Sequence, residues 1–259
     1  MKITILGCGT STGVPVIGCP CGVCRSSDPK NYRTRASILI ETVGKTLLVD
    51  TSTDLRVQAL KFGIKRVDAV LYTHTHADHV HGVDELRTFN YIQDGPIPCF
   101  APEVVAEAIR NKFDYIFAPR PNMKNWVPNL TITPIIDNLE LFGLDIIPLS
   151  VIHGDVPTYG YLFNRRVAYI TDCKELPAET KRWLRDLDVL ILDALRFAPH
   201  RNHMSIDEAI LCVEELKPKH TILTHLGHQL DYAQANFRLP SKVELGYDGM
   251  IIEILEKNK

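Results

Sequence analysis

Two patterns of apolar residues share this chain. Short unbroken runs alternate with stretches in which apolar residues return every third or fourth position. The runs read as buried strands and the stretches as helices, and their alternation predicts an α/β fold. Lys2–Leu6 reads as a strand entering a Gly-rich turn, Gly7–Gly13, and a polar, Cys-rich loop follows to about Arg35. Ala36–Glu41 and Thr46–Val49 pair as a hairpin around Gly44. Asp54–Phe62 reads as a helix stopped by Gly63, and Glu103–Lys112 as a helix with Pro102 at its first position. Ala69–Tyr72, Leu144–Ile152, Val167–Thr171, Val189–Leu192 and Thr221–Thr224 read as buried strands. Ser205 and Glu208 form a capping box, after which Ile206, Ala209, Ile210, Val213 and Leu216 share one helical face. Ala118–Pro128, rich in Pro, Asn and basic residues, reads as a surface loop. No repeat or linker divides the chain, so a single domain over residues 1–259 is expected, with a Cys-rich loop at about 18–35.

Composition narrows the possibilities. The chain has 259 residues, 45% hydrophobic and 23% charged, enough for a sizeable core. Net charge is −2, which disfavours long nucleic acid as a partner. No apolar run approaches the roughly 18–20 residues of a membrane span. The N-terminal apolar stretch, Ile3–Leu6, is too short for a signal peptide. A cytoplasmic protein without membrane contact is expected. In a reducing compartment, the crowding of Cys19, Cys21 and Cys24 suggests metal rather than disulfide.

The chemistry concentrates in His74–His79, H-T-H-A-D-H, directly after a strand. Imidazoles and a carboxylate so close together suit zinc, iron or manganese. His153, Asp172 and His225 each stand where a later strand leaves the core, the usual place for a site in a layered α/β protein. In chain order, H-x-H-x-D-H, His, Asp, His resembles the metallo-β-lactamase superfamily over nearly the whole chain. The resemblance implies a four-layer αββα sandwich with two metals at one edge. It implies that His74, His76 and His153 hold one metal, that Asp78, His79 and His225 hold the other, and that Asp172 bridges them. Asp50 matches that superfamily's first aspartate in a supporting role, and His81 has no place in the ligand set. Two ions about 3.5–4 Å apart can hold a hydroxide between them at neutral pH and polarise a phosphoryl oxygen.

Gly18–Cys24, G-C-P-C-G-V-C, offers three thiolates, one ligand short of a closed tetrahedral zinc. His228 is the candidate fourth ligand of such a structural site. G-C-G-T-S-T-G-V-P at Gly7–Pro15, the Cys-rich loop, T-H-L-G-H-Q at Thr224–Gln229 and G-Y-D-G-M at Gly246–Met250 resemble the PhnP-like phosphodiesterases. The resemblance implies hydrolysis of small or cyclic phosphodiesters of ribose or nucleotides, and a homodimer. The Gly-rich segment lacks the Lys and Ser/Thr ending of a P-loop and is assigned to tight turns. In the resembling group the histidine at His203 lies over the metals, where it can donate a proton to the leaving alkoxide or hydrogen-bond the phosphoryl group; the first role is the one expected here, and Arg201 is a candidate phosphate contact. Asp78 is read with His203 as catalytic, and His200 and His220 as surface histidines. The expected cofactors are two active-site divalent metals (manganese or zinc, or else iron) and one structural zinc. The alternatives are a tRNA 3′-processing nuclease of the RNase Z type, an accessory protein like pyrroloquinoline quinone biosynthesis protein B, and a thioester or β-lactam hydrolase.

Overall fold

Alternation along the strands decides how the layers stack. Ile3, Ile5, Ile38, Ile40, Leu47, Val49, Ala69 and Leu71 join a core that continues into a second sheet. Their neighbours Leu39, Leu48 and Val70 join another core, with Leu55, Leu86, Phe89 and Val105 from helices. Side chains alternate across a strand, so these strands bury both faces: one against a sheet, the other against helices. A one-residue slip would exchange the two faces, which is what fixes the register.

The computed structural model describes residues 1–118 and 126–255. Its strands are β1 (Lys2–Gly7), β2 (Ser37–Thr42), β3 (Lys45–Val49), β4 (Ala69–Leu71), β5 (Ile97–Pro102), β6 (Leu130–Ile135) and β7 (Leu139–Leu141). They continue as β8 (Leu144–Val151), β9 (Thr158–Phe163), β10 (Val167–Ile170), β11 (Val189–Asp193), β12 (His220–Thr224), β13 (Val243–Leu245) and β14 (Ile251–Glu253). The α-helices are α1 (Leu55–Phe62), α2 (Ala77–Val80), α3 (Leu86–Gln93), α4 (Glu103–Lys112), α5 (Asp114–Phe117), α6 (Ala178–Trp183), α7 (Ile206–Leu216) and α8 (Tyr232–Asn236). One seven-stranded sheet has the order β14-β1-β2-β3-β4-β5-β6, the other β13-β12-β11-β10-β9-β8-β7. Both are mixed: β3-β4-β5-β6 and β10-β11-β12-β13 run parallel and the other pairs antiparallel. The expected single-domain αββα sandwich is the observed fold. Of the expected surface loop Ala118–Pro128, residues 119–125 lie outside the described residues.

Local signals hold in several places. Gly63 ends α1 at φ +64°, and the Ser205–Glu208 capping box is formed at α7. The buried face of α7 uses Cys212, while Ile210 and Val213 are only partly covered. Pro102 caps α4 from outside instead of opening it. β5, β6 and β9 escape a periodicity reading. Pro98, Pro102 and Pro134 interrupt the first two, and β6 is an edge strand, where a residue without an N–H is tolerated. Gly160 interrupts β9, because a Cβ there would lie 2.7 Å from the Tyr169 carbonyl.

The Gly-rich segment packs differently from a set of tight turns. Gly13 does take a turn conformation, at φ +64°. Gly7 and Gly9 instead admit the crossing chain: side chains there would collide with the carbonyls of Arg35 and Arg33. Arg33 is 1% exposed and donates to the carbonyls of Gly227 (2.9 Å) and Leu230 (2.6 Å). Leu226 N donates to the Cys8 carbonyl at 2.7 Å. Asp248, from the G-Y-D-G-M segment, accepts from Cys8 N (3.1 Å), Thr34 N (2.8 Å) and Thr34 Oγ1 (2.7 Å). The N-terminal loop and the C-terminal strand ends thus form one hydrogen-bonded block. Asp248→Ala should lower stability by roughly 1–3 kcal/mol, as unpaired donors are left behind. Urea unfolding with an unchanged slope measures this, and a loss under about 0.5 kcal/mol would contradict it.

Candidate metal centre

Strand ends bring the site together. Asp50 follows β3, His74 lies just beyond β4, and Asp78 and His79 sit on α2. His153 follows β8, Asp172 follows β10, and His225 follows β12. Asp50, Asp172 and His225 have φ of +64°, +51° and +57°, in the left-handed region uncommon for residues with a side chain. The chain turns sharply as it leaves each strand, and such strain clusters at functional sites.

Two donor sets result, one of His74, His76, His153 and Asp172, the other of Asp78, His79, Asp172 and His225. Within each, the donor atoms lie within 4.8 Å of one another. In the first, His153 Nε2 is 3.4 Å from His76 Nδ1, and Asp172 Oδ1 is 3.9 Å from His74 Nε2 and 3.8 Å from His153 Nε2. In the second, His79 Nε2 is 3.3 Å from Asp78 Oδ2 and 3.1 Å from Asp172 Oδ2. His225 Nε2 is 3.9 Å from Asp78 Oδ2 and 3.3 Å from Asp172 Oδ1. Ligands about 2.0–2.1 Å from a tetrahedral metal are about 3.3–3.4 Å apart, and these distances bracket that value.

The outer hydrogen bonds settle which ring nitrogens face inward. His79 Nδ1 donates to Asp50 Oδ2 at 2.7 Å, so Nε2 is the nitrogen turned towards Asp78 and Asp172. Thr73 Oγ1 donates to Asp50 Oδ2 (2.7 Å), which leaves it to accept from His74 Nδ1 (3.0 Å). His153 Nδ1 donates to the Asn202 carbonyl at 2.9 Å. Such partners orient metal-binding imidazoles. Among the described residues, His74 Nε2, Asp78 Oδ2, His79 Nε2 and His225 Nε2 are buried without a hydrogen-bond partner. His79 Nε2 and His225 Nε2 face Asp78 Oδ2, and His74 Nε2 faces Asp172; buried polar atoms are seldom left so. A divalent cation in each set would satisfy them, and the residues fit one.

The electrostatics of the ion-free centre divide. Burial pushes the Asp172 carboxyl up, but the imidazoles of His225, His79 and His74 outweigh it and hold the group well below the usual carboxylate range. Burial also opposes ionisation of Asp78, and the nearby His225 and His79 likewise bring it below that range. Burial, reinforced by His79, lowers His74, and burial with His153 lowers His76. Burial also lowers His79 and His225, but Asp172 outweighs it and holds His79 well above and His225 above the usual imidazole range. A metal requires ionised carboxylates and neutral imidazoles, so a cation entering the centre would displace the protons of His79 and His225.

The second cluster also assembles. His228 Nδ1 is 3.2 Å from Cys19 Sγ and 3.6 Å from the Sγ atoms of Cys21 and Cys24. A tetrahedral zinc with Zn–S of about 2.3 Å and Zn–N of about 2.0–2.1 Å needs about 3.6 Å between S and N. The Cys24 N–H hydrogen bond lowers the Cys21 thiol to about 6, whereas burial lifts Cys24 to about 11.

His203 lies over the centre. Its ring stacks on His225 at 4.5 Å and meets His153 at 4.7 Å, so it touches both donor sets. Its Nδ1 donates to Asp193 Oδ2 at 2.9 Å. Arg201 is exposed on the same loop, and His81 is exposed and edge-on to Phe113. His220 pairs with Glu244 at 2.9 Å, but His200 is more than a surface group, since it packs 5.1 Å from the His203 ring. Asp193, Thr73 and Asn202 escape a sequence reading. Only Asp193 carries a signal, an acid ending an apolar strand as Asp172 and His225 do.

Comparison with known proteins agrees with this geometry. A family model described as a beta-lactamase superfamily domain matches residues 45–226. A crystal structure of a diphosphatase from the PhnP family superposes with a TM-score of 0.90 and 41% identity, covering 98% of both chains. Zinc-bound PqqB from Methylobacterium extorquens shares the fold, with a TM-score of 0.78, 19% identity, and coverage of 98% of this chain and 100% of that one. The octanoyltransferase of Porphyromonas gingivalis is 38% identical over 262 residues, 99% of this chain and 52% of that protein. The chain therefore spans about half the length of that relative. This chain belongs to the metallo-β-lactamase superfamily and, within it, to the PhnP-like proteins. Among the described residues no helix is long and apolar enough to cross a membrane.

Asp172→Ala removes a donor from both sets and should abolish metal binding at the centre, as read by elemental analysis after dialysis. Retention of two equivalents there would contradict the shared-carboxylate arrangement. Cys21→Ser should lose one zinc and leave the other metals in place; undiminished zinc would contradict the thiolate site.

Proposed function

We propose that the chain hydrolyses small or cyclic phosphodiesters, with ribosyl or nucleotide phosphates as the substrate class. One observation carries the reading: two donor sets share Asp172, and His203 lies across both. In this reading His74, His76, His153 and Asp172 hold one metal, and Asp78, His79, His225 and Asp172 the other. Asp78 serves catalysis as a ligand. Cys19, Cys21, Cys24 and His228 hold a structural zinc. Divalent ions there, manganese or zinc in the first instance, supply charge neutralisation at the phosphoryl oxygens and acidify the attacking water.

The protein's own groups do the rest. Asp50 fixes His79 directly and His74 through Thr73, so neither ring reorients during turnover. Water adds to phosphorus and loses a proton to solvent as the bond to the leaving oxygen breaks; that oxygen keeps the electron pair of the broken bond and takes a proton from His203. An alkoxide is a strong base, so this proton contributes about 10²–10⁴-fold. In this reading Arg201, exposed on the same loop as His203, meets a phosphate oxygen. The diphosphatase likeness supports phosphorus as the reacting centre, since a diphosphate also presents a bridged phosphoryl group. Net charge of −2 argues against a long RNA substrate.

The half-length octanoyltransferase match favours a second reading, hydrolysis of an acyl thioester at the same centre. The two separate in one assay of the metal-loaded protein. Bis(p-nitrophenyl) phosphate should turn over well, and p-nitrophenyl phosphate and an octanoyl thioester poorly. Preference for the thioester would move the assignment to the second reading. His203→Ala should keep the metals and lose about 10²-fold or more in kcat on a diester with an alkoxide leaving group. Wild-type turnover by that variant would remove His203 from the mechanism.

A further inference from the structure

The donors of the centre are not equally covered. His74, Asp78, His79, His153, Asp172 and His225 are buried, whereas His76 is half-exposed. A substrate therefore reaches the centre past His76. The peptide just before that residue holds a cation. Lys112, the last residue of α4, donates from Nζ to the Thr75 carbonyl at 2.5 Å. Thr75 lies between His74 and His76, so the ammonium stands on the ligand loop, at its open side. The lysine is otherwise uncommitted: it is exposed, and among the described residues it forms no ion pair. Arg110, in the same last turn, gives Nη2 to the Ile132 carbonyl at 2.9 Å and is thereby held on β6 instead.

We propose that Lys112 is a specificity-determining residue: its ammonium binds a negatively charged oxygen of the substrate at the open side of the centre and so selects anionic esters over neutral ones. This rests on the phosphodiester reading and deepens it, because a diester keeps a negative charge where a thioester or a lactam has none. An ammonium has three N–H donors, and the Thr75 carbonyl takes one, which leaves two for an incoming oxygen. The bond to Thr75 also restrains a long side chain before the substrate arrives, so less conformational freedom is lost on binding. Lys112 makes and breaks no bond. It holds the charged oxygen in the ground state and the transition state alike, so its contribution falls on KM and leaves kcat to the centre. A lysine that merely tied α4 to the ligand loop would act instead on metal content and kcat.

The test compares Lys112→Ala and Lys112→Arg with wild type in the metal-loaded protein. The position is exposed, so neither change threatens folding. Three quantities are read: metal content, kinetics on bis(p-nitrophenyl) phosphate, and the affinity for inorganic phosphate by calorimetric titration. Lys112→Ala should raise KM about 10-fold, the worth of one hydrogen bond between charged partners, with kcat little changed and the metals retained. Phosphate affinity should fall by a similar factor. Lys112→Arg keeps the charge and should recover most of both losses. Added salt should raise the wild-type KM more steeply than that of Lys112→Ala, because the variant has one charge fewer to screen. Unchanged KM and phosphate affinity in Lys112→Ala, arginine behaving like alanine, or loss of metal and kcat at constant KM would each overturn the proposal. Wild-type protein that loads its metals but cleaves no diester would instead sink the function reading. The phosphate titration then still decides on Lys112: equal affinity in wild type and Lys112→Ala overturns the assignment.

Discussion

The carboxylate of Asp172 is the constraint on which the rest of the structure depends. It is 2% exposed and lies among the ring nitrogens of His74, His79, His153 and His225, at 3.1–3.9 Å. Removing an ion from water costs several kcal/mol even after relaxation, so a charge buried this deeply needs compensation. Thr171 Oγ1 donates to Oδ2 at 2.7 Å and supplies part of it, while the inward-facing nitrogens of three of those rings have no hydrogen-bond partner. Cations shared between the two donor sets would supply the rest. The positive φ at Asp172 and His225 and the buried Asp50 beneath His79 follow from that demand.

Support reaches the centre from both ends of the chain. Cys8, Arg33 and Asp248 tie the N-terminal loop to the strand ends at Leu226 and beyond, and the Cys19–Cys21–Cys24–His228 cluster closes over the same segment. His225 is three residues from His228, so the thiolate cluster and the catalytic centre brace one stretch of backbone. That is a structural reason for a Cys-rich loop beside a centre whose own donors are imidazoles and carboxylates. The half-molecules divide the work: the first sheet supplies His74, His76, Asp78 and His79, and the second supplies His153, Asp172 and His225. The centre exists only when the two sheets are packed together.

Much of this was legible in the sequence because metal ligands are chemically unusual residues at unusual positions. H-T-H-A-D-H needed no structure to stand out, and His153, Asp172 and His225 each ended a recognisable apolar run. The Gly63 stop and the α7 capping box are local and were equally readable. What sequence hid is what depends on neighbours. β5 and β6 contain prolines that only their sheet contacts make tolerable, and Gly160 in β9 is explained only by Tyr169 across the strand pair. Asp193 ends an apolar strand with no motif to single it out, and only the structure sets His203 on it. Thr73 and Asn202 act through a hydroxyl and a backbone carbonyl, which no residue pattern advertises.

The sharpest test is anomalous diffraction from crystals of the metal-loaded protein. Two peaks about 3.5–4 Å apart are expected, both in contact with Asp172, and a third among Cys19, Cys21, Cys24 and His228. Absence of metal beside Asp172, with His74, His79 and His225 turned to hydrogen-bond one another instead, would contradict it.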